Sequence, residues 1–434
     1  MPKFTIDISK QTSKFRHYWE KCVGSGHAAL ALREDWRSQL KMCHNQLGFE
    51  YIRFHGIFND DMSCYVKRNA KAIYSFFNVN SIFDFLLNNG MKPFVELSFM
   101  PADLASGEET VFHYRGNITP PKSYPEWSQL IERFIKHLID RYGREEIRSW
   151  FFEVWNEPNL KEFWSGHQDD YFQLYRNTAE TIKSIDAELK VGGPATARNR
   201  WISDMLNYCR ENDIPLDFIS THHYPTDIGL GHHLNMEARM AKSERGILTK
   251  MAKQAKKEAA GLPLYYTEWN NSPSCRDPYH DDPYAAVFAI KTIADNDSLV
   301  DIYSYWTFSD IFEEEPFPSL PFHGGFGLLN LHGIPKPTYR AFELLHRLGT
   351  NRCQVSSDYD SNIEVLAVRD KSELILLIYN YNIPLAPIQE EDVLLKVKGM
   401  PNLDSIFNER IDQFHANPKK IWLDMPGPQY LPNE

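Results

Sequence analysis

Short apolar runs alternate along most of the chain with longer stretches whose apolar positions recur every three or four residues. The short runs predict β-strands near residues 26–32, 49–55, 92–99, 150–157, 189–195, 217–224, 262–269 and 300–306. The longer stretches predict helices over 34–47, 80–89, 124–142, 169–186, 199–211, 239–259, 283–296 and 338–348. Strands alternating with helices in this way predict an α/β fold, and eight of each favour a closed (β/α)8 TIM barrel over an open sheet. The strand runs are apolar on both faces, as a sheet covered on both sides requires.

The pattern changes after Pro337. A helical stretch, TYRAFELLHRLG, ends at Gly349, and the runs IEVLAVR (363–369), ELILLIYNYN (373–382) and DVLLKVK (392–398) predict a small accessory β-sandwich. The expected division is an N-terminal segment, 1–22, pairing with the sandwich, a catalytic barrel over 23–349 and the sandwich over 350–434. The closing PGPQYLPNE is turn-rich and reads as peripheral.

Several predicted strands finish on polar or aromatic residues: Arg53 and His55, Asn156 and Glu157, His222 and Tyr224, Glu268, and Trp306. In a barrel of this kind the C-terminal strand ends form the mouth where chemistry is done. Glu157 closes the fourth predicted strand and Glu268 the seventh, so they face one another across that mouth. Two converging carboxylates are the equipment of glycoside hydrolysis, one protonating the leaving oxygen while the other attacks the anomeric carbon or activates water. Either Glu alone reads equally well as a solvated loop charge or half of an ion pair. The pair together, each flanked by Trp and Asn in WNEP and TEWN, favours the chemistry. The acid must hold its proton near neutrality and the nucleophile must lose it, and Tyr224 is a candidate hydrogen-bond donor to an ionised Glu268.

Charge and composition narrow the partners. The net charge of −11 repels polyphosphate, which argues against nucleic acid and anionic membranes. No apolar stretch is long enough to span a bilayer, and MPKFTIDISKQ carries no signal-peptide pattern, so a cytoplasmic enzyme is expected. Six scattered cysteines without a CxxC pair read as reduced thiols. His222 and His223 are adjacent on a strand and point to opposite faces, so a shared metal is not expected there. No organic cofactor is needed either, because the two carboxylates suffice. Trp306 reads as a floor for a sugar ring, with core packing as the alternative, and Phe112, Phe163 and Trp164 lie on loops that could wall the pocket.

The chain resembles the family 39 glycoside hydrolases, within the clan of (β/α)8 retaining glycosidases, and their β-xylosidases in particular. The resemblance is carried by YIRFHGIFNDDM (51–62), KPFVELSFMPADLASG (92–107), FEVWNEPNLKEFW (152–164), KVGGPA (190–195), YSYWTFSDIFEE (303–314) and FHGGFGLLN (322–330). It implies Glu157 as the acid/base and Glu268 as the nucleophile, with Asn156 bonding the sugar 2-hydroxyl. His55, His222 and Tyr224 contribute further contacts, Tyr224 by holding the nucleophile. By the same resemblance Glu313 or Glu314 reaches sugar hydroxyls. The family includes iduronidases, whose substrate is anionic; the acidic run Glu313–Glu314–Glu315 argues instead for a neutral pentose. The expected activity is a retaining, exo-acting β-xylosidase acting on small xylo-oligosaccharides. An arabinosidase, a glucosidase, an endo-glycanase, an iduronidase and a non-catalytic sugar-binding protein remain the alternatives. Similar enzymes often assemble as homo-tetramers, and their sandwich takes strands from residues past the equivalent of Glu434, so an incomplete sandwich is expected here.

Overall fold

The structure, a computed structural model, describes residues 1–10, 12–226, 235–314, 320–359, 361–370, 373–399 and 405–432. Eight parallel strands close into a barrel: Cys22–His27, Tyr51–His55, Lys92–Leu97, Phe151–Val154, Lys190–Ala197, Phe218–His223, Leu264–Trp269 and Ile302–Tyr305. Each pairs with the strand next in sequence, and Tyr305 against Val23 closes the ring. Helices follow each strand and cover the outside. The helix Tyr124–Tyr142 shows why: Trp127, Leu130, Ile131, Phe134, Ile135 and Leu138 form one buried stripe at helical spacing. Ser123 caps its first turn by accepting the Glu126 N–H, and Gly143, at φ 86°, ends it.

The inward face of the barrel is layered in steps of two residues. Cys22, Phe94, Phe151, Phe218, Tyr265 and Ile302, with Tyr51 packed against them, form an aromatic plug at the N-terminal end of the strands. Two residues further along come Arg53, Glu96, Glu153 and Thr267, a fully buried polar layer. The next step brings His55 and His222 to the mouth. The plug makes the barrel floor dry, and that dryness strengthens every charge interaction above it.

The first strand differs from the sequence expectation. It spans Cys22–His27, and the apolar run at 28–32 is a short 3-10 helix, Ala28–Leu32. CVGSG lacks the bulk of a buried strand, and the structure explains the smallness. A Cβ on Gly24 would lie 2.4 Å from Cε3 of Trp306, and one on Gly26 would lie 2.4 Å from the Phe312 carbonyl oxygen. The loop after the eighth strand packs directly onto this strand. The helix expected over 239–259 is two helices, Met236–Met240 and Ile247–Glu258, broken before Gly246 at φ 81°.

Outside the barrel, Lys3–Asp7 pairs with Val355–Ser357 and Leu394–Lys398 in one sheet. Ser13–Lys14 joins Asn351–Arg352, Ile363–Asp370 and Glu373–Asn380 in a second. Residues 405–432 contribute no strand to either sheet, contrary to a sandwich running from 350 to 434. They return to the barrel instead. Lys419, on the helix Pro418–Asp424, reaches Asp282 Oδ1 at 3.1 Å, and Trp422 packs on Phe322.

Candidate active site

The fourth strand ends at Val154, three residues short of Glu157. Trp155 and Glu157 then adopt left-handed backbone, at φ 73° and 43°. Such conformations cost about 1–3 kcal/mol each and persist only where the surroundings hold them. Here the Glu157 N–H donates to the Ala195 carbonyl (2.8 Å) and the buried Trp155 indole N–H donates to the Phe163 carbonyl (2.8 Å). Asn159 bonds both the N–H and the carbonyl of Ala197. The WNEPN sequence is therefore a sharp turn pinned to the fifth strand, and it aims Glu157 back over the barrel.

Glu268 arrives from the seventh strand, whose pairing slips between Tyr266 and Trp269. This irregularity lets consecutive residues Thr267 and Glu268 both reach the interior, which strict alternation forbids. Arg53 Nη1 donates to Glu268 Oε1 at 2.9 Å, and the Tyr224 hydroxyl donates to Oε2 at 3.1 Å. His222 Nδ1 lies 2.9 Å from Glu157 Oε1 and 3.6 Å from Glu268 Oε2. An oxygen of Glu157 and an oxygen of Glu268 lie within 4.8 Å of one another.

Arg53 is the hub. Beyond Glu268, its Nε donates to Glu153 Oε2 (2.6 Å) and its Nη2 to Asn156 Oδ1 (3.0 Å), while Nη2 is also ion-paired with Glu96 Oε2 at 2.7 Å. A guanidinium only donates, so Asn156 must turn its carbonyl oxygen to Arg53 and its NH2 group away from it. His55 bonds Glu96 through Nδ1 (2.7 Å), and its Nε2 sits 3.7 Å from Glu268 Oε1 and 3.6 Å from Glu314 Oε1. Its ring lies 4.9 Å from that of Trp306 and 6.4 Å from that of Phe163, which packs against Phe112.

Burial governs the protonation states. It pushes the Glu157 carboxyl well above the usual carboxylate range, and the neighbouring charge of Glu268 pushes it further. Burial raises Glu268 too, but Arg53 and then His55 oppose the rise, so Glu157 holds its proton to higher pH. Burial alone would lower the His55 imidazole; Glu96 and Glu314 outweigh it and raise it to about 9. His222, buried beside Arg53 and His55, is held neutral.

The site gathers Glu157, Glu268, His55, Asn156, His222, Tyr224 and Trp306, with Phe112, Phe163 and Glu314 at its edge. Two expectations change. Trp164 donates its indole N–H to the His167 carbonyl and packs on Trp155, so it supports the turn rather than walling the pocket. Glu313 pairs with the partly exposed Arg33, and it is Glu314 that lies beside His55. The loop is thus no uniformly acidic rim, because Glu313 is matched by Arg33 and Glu314 faces the His55 imidazolium; Glu315 lies outside the described residues. The case against an anionic sugar loses that support. Sequence reasoning also gave no role to Arg53 and missed Glu96, Glu153 and Thr267. The signal was a polar residue two positions beyond an inward aromatic in Tyr51-Arg53, Phe94-Glu96, Phe151-Glu153 and Tyr265-Thr267.

Glu157, His222 and Glu268 are close enough together to suggest a divalent cation, but one placed there would face the Arg53 guanidinium and the His55 imidazolium. His17, Glu20 and His346 form a second such group. There, His17 Nε2 faces the Gly349 carbonyl while Nδ1 bonds Glu20, so both nitrogens carry protons and the ring is a cation rather than a ligand.

Comparison with known proteins identifies the chain's relatives. The profile of the glycosyl hydrolases family 39 matches residues 2–434. The chain belongs to this family. A β-xylosidase of Caldicellulosiruptor saccharolyticus is 57% identical over 100% of this chain and 89% of its own. A β-xylosidase of Geobacillus stearothermophilus is 36% identical over 97% and 85%. The crystal structure of a monomeric β-xylosidase from Caulobacter crescentus CB15 superposes with a TM-score of 0.89 at 32% identity, covering 100% of this chain and 91% of that one. This family 39 chain shares their closed barrel, and among its described residues no helix is long and apolar enough to cross a membrane.

Proposed function

We propose that the protein is a retaining, exo-acting β-xylosidase that releases xylose from the non-reducing end of xylo-oligosaccharides. The observation that carries the reading is the approach of Glu157 and Glu268 to within 4.8 Å, oxygen to oxygen. Retaining enzymes hold their carboxyl groups about 5–5.5 Å apart, whereas inverting ones leave about 6.5–9.5 Å for a water. Glu268, ionised and held by Arg53 and Tyr224, attacks the anomeric carbon. As the ester forms, the glycosidic C–O bond breaks, and its oxygen takes the proton of Glu157. In the second step a water gives its proton to Glu157 and its oxygen to the same carbon, releasing Glu268 and β-xylose. The Asn156 NH2, turned away from Arg53, is positioned for the 2-hydroxyl, Trp306 forms the floor, and Glu314 with His55 receives further hydroxyls. Exo action is supported by the names of the relatives and by the eighth loop, which folds over the first strand. All six cysteines are buried thiols, in keeping with a reducing cytoplasm.

The test compares kcat/KM for nitrophenyl xyloside, arabinoside, glucoside and iduronide, and follows the first anomer by NMR. The xyloside should lead and β-xylose should appear first; preference for another glycoside, or α-xylose first, refutes the reading. A 2-fluoro xyloside with a good leaving group should leave its mass on the peptide carrying Glu268.

A further inference from the structure

Glu157 must enter the first step protonated, and the group nearest its carboxyl is His222 Nδ1, at 2.9 Å from Oε1. The two neutral tautomers of His222 act oppositely. With a proton on Nδ1 the ring would donate to the carboxylate and favour its ionised form; with a lone pair on Nδ1 only a protonated carboxyl satisfies the contact. The choice is made at the other nitrogen. His222 Nε2 lies 3.1 Å from Thr267 Oγ1, and Thr267 Oγ1 lies 2.8 Å from Glu153 Oε1. Glu153 is fully buried; burial and the Glu96 charge raise its carboxyl, and the Arg53 guanidinium, whose Nε donates to its other oxygen, opposes the rise and favours the ionised form. A carboxylate only accepts, so the single hydroxyl proton of Thr267 points to Glu153. The hydroxyl then offers His222 only lone pairs, and Nε2 must carry the ring proton.

We propose that Thr267 and Glu153 are positioning residues that lock His222 as the Nε2–H tautomer and so keep Glu157 in its acid form. In the free enzyme the proton rests between Glu157 Oε1 and His222 Nδ1, and the carboxyl turns it toward the glycosidic oxygen when substrate binds. After transfer, the ionised Glu157 faces a bare nitrogen, which makes it a keener base toward water in the second step. The other groups facing Glu157 are Glu268, His55, Arg53 and Glu314; those facing His222 are Arg53, His55, His223 and Glu268, whose Oε2 lies 3.6 Å from Nδ1. None of them bonds Nε2, and Glu268 Oε2, which accepts the Tyr224 hydroxyl, stands at 3.6 Å beyond hydrogen-bond reach of Nδ1. The inference rests on Glu157 being the acid/base and deepens that reading.

The test uses the whole enzyme and the variants Thr267→Val and Thr267→Ser, with kcat/KM measured against pH for phenyl xyloside and for 2,4-dinitrophenyl xyloside. Valine keeps the β-branched shape and removes the hydroxyl, which frees His222 to protonate Nδ1. The basic limb for phenyl xyloside should move down by about one pH unit, with a loss that grows to about 10-fold on the basic side, inside the range general acid catalysis supplies. The dinitrophenyl substrate, which needs little protonation, should change by less than about threefold, and serine should restore both. In wild-type enzyme, 15N spectra of the histidines, with His222 assigned by comparison with His222→Asn, should show Nε2 protonated and Nδ1 bare, a readout that needs no folded valine variant. An unmoved basic limb, equal losses on both substrates or a protonated Nδ1 overturns the relay. Glu157→Ala run in parallel separates the two readings. If it shows acid/base behaviour beside an unmoved Thr267→Val limb, the relay alone is wrong; if it loses both substrates equally without azide rescue, the assignment of Glu157 is wrong.

Discussion

Replacing Arg53 by Met should shift the acidic limb of the pH profile, and the size of the shift follows from the geometry. Arg53 is the charge closest to Glu268, with Nη1 2.9 Å from Oε1. Unit charges about 4 Å apart interact by about 4 kcal/mol at an effective dielectric constant near 20. That corresponds to about 3 pKa units, at about 1.4 kcal/mol each. The His55 imidazolium, 3.7 Å away, acts in both proteins, and water entering at the mouth of the emptied site screens part of the loss, so an upward shift of about 1–2 units is expected for Glu268. The same change strands Glu96 and Glu153, and breaking a buried pair costs about 3–5 kcal/mol, so the melting temperature should fall as well. The assay is kcat/KM against pH with 2,4-dinitrophenyl xyloside, which removes the demand on Glu157 and isolates the nucleophile. The acidic limb should rise by about 1–2 units in the folded variant. A variant that is merely slower at every pH, with its acidic limb unmoved, would refute the claim that Arg53 holds Glu268 ionised.

Glu157→Ala should lose about 10²–10⁴-fold on phenyl xyloside and far less in the first step with dinitrophenyl xyloside, and added azide should yield β-xylosyl azide, detected by NMR. The His55 imidazole titrates at about 9 in the folded chain against 6.5 free, so its contribution, on the order of 3 kcal/mol, is fully present below about pH 6.5 and is lost as pH rises through 9. Urea denaturation at pH 6 and 9.5 should show that decline in the wild type and a smaller one in His55→Asn. Gly24→Val places side-chain atoms where Trp306 stands, 2.4 Å from a Cβ alone, so the floor must move; KM for aryl xylosides should rise several-fold, and an unchanged KM would deny Trp306 its role.

The alternation of buried runs and amphipathic stretches was enough to read the barrel, because a parallel sheet covered on both faces needs continuously apolar strands and its helices need one apolar stripe. The two carboxylates were legible for a related reason: a charge directly after a buried run has to be presented somewhere, and WNEP and TEWN mark both places. What the sequence could not reveal is how those charges are tuned. The first strand was misplaced because its glycines answer to Trp306 and Phe312, distant in sequence, and not to any local propensity. The split of Glu313 from Glu314 depends on which one meets Arg33 and which meets His55, contacts of the eighth loop with the start of the helix Glu34–Leu47 and with the end of the second barrel strand. The left-handed turn that aims Glu157 is held by the Ala195 carbonyl on the next strand, and the slip in the seventh strand that admits both Thr267 and Glu268 arises only from its neighbours. Amphipathic period is a local property, written residue by residue. Protonation state depends on which charges share a dry interior, and only closing the ring brings Arg53, Glu96, Glu153 and Glu268 from four strands to one point.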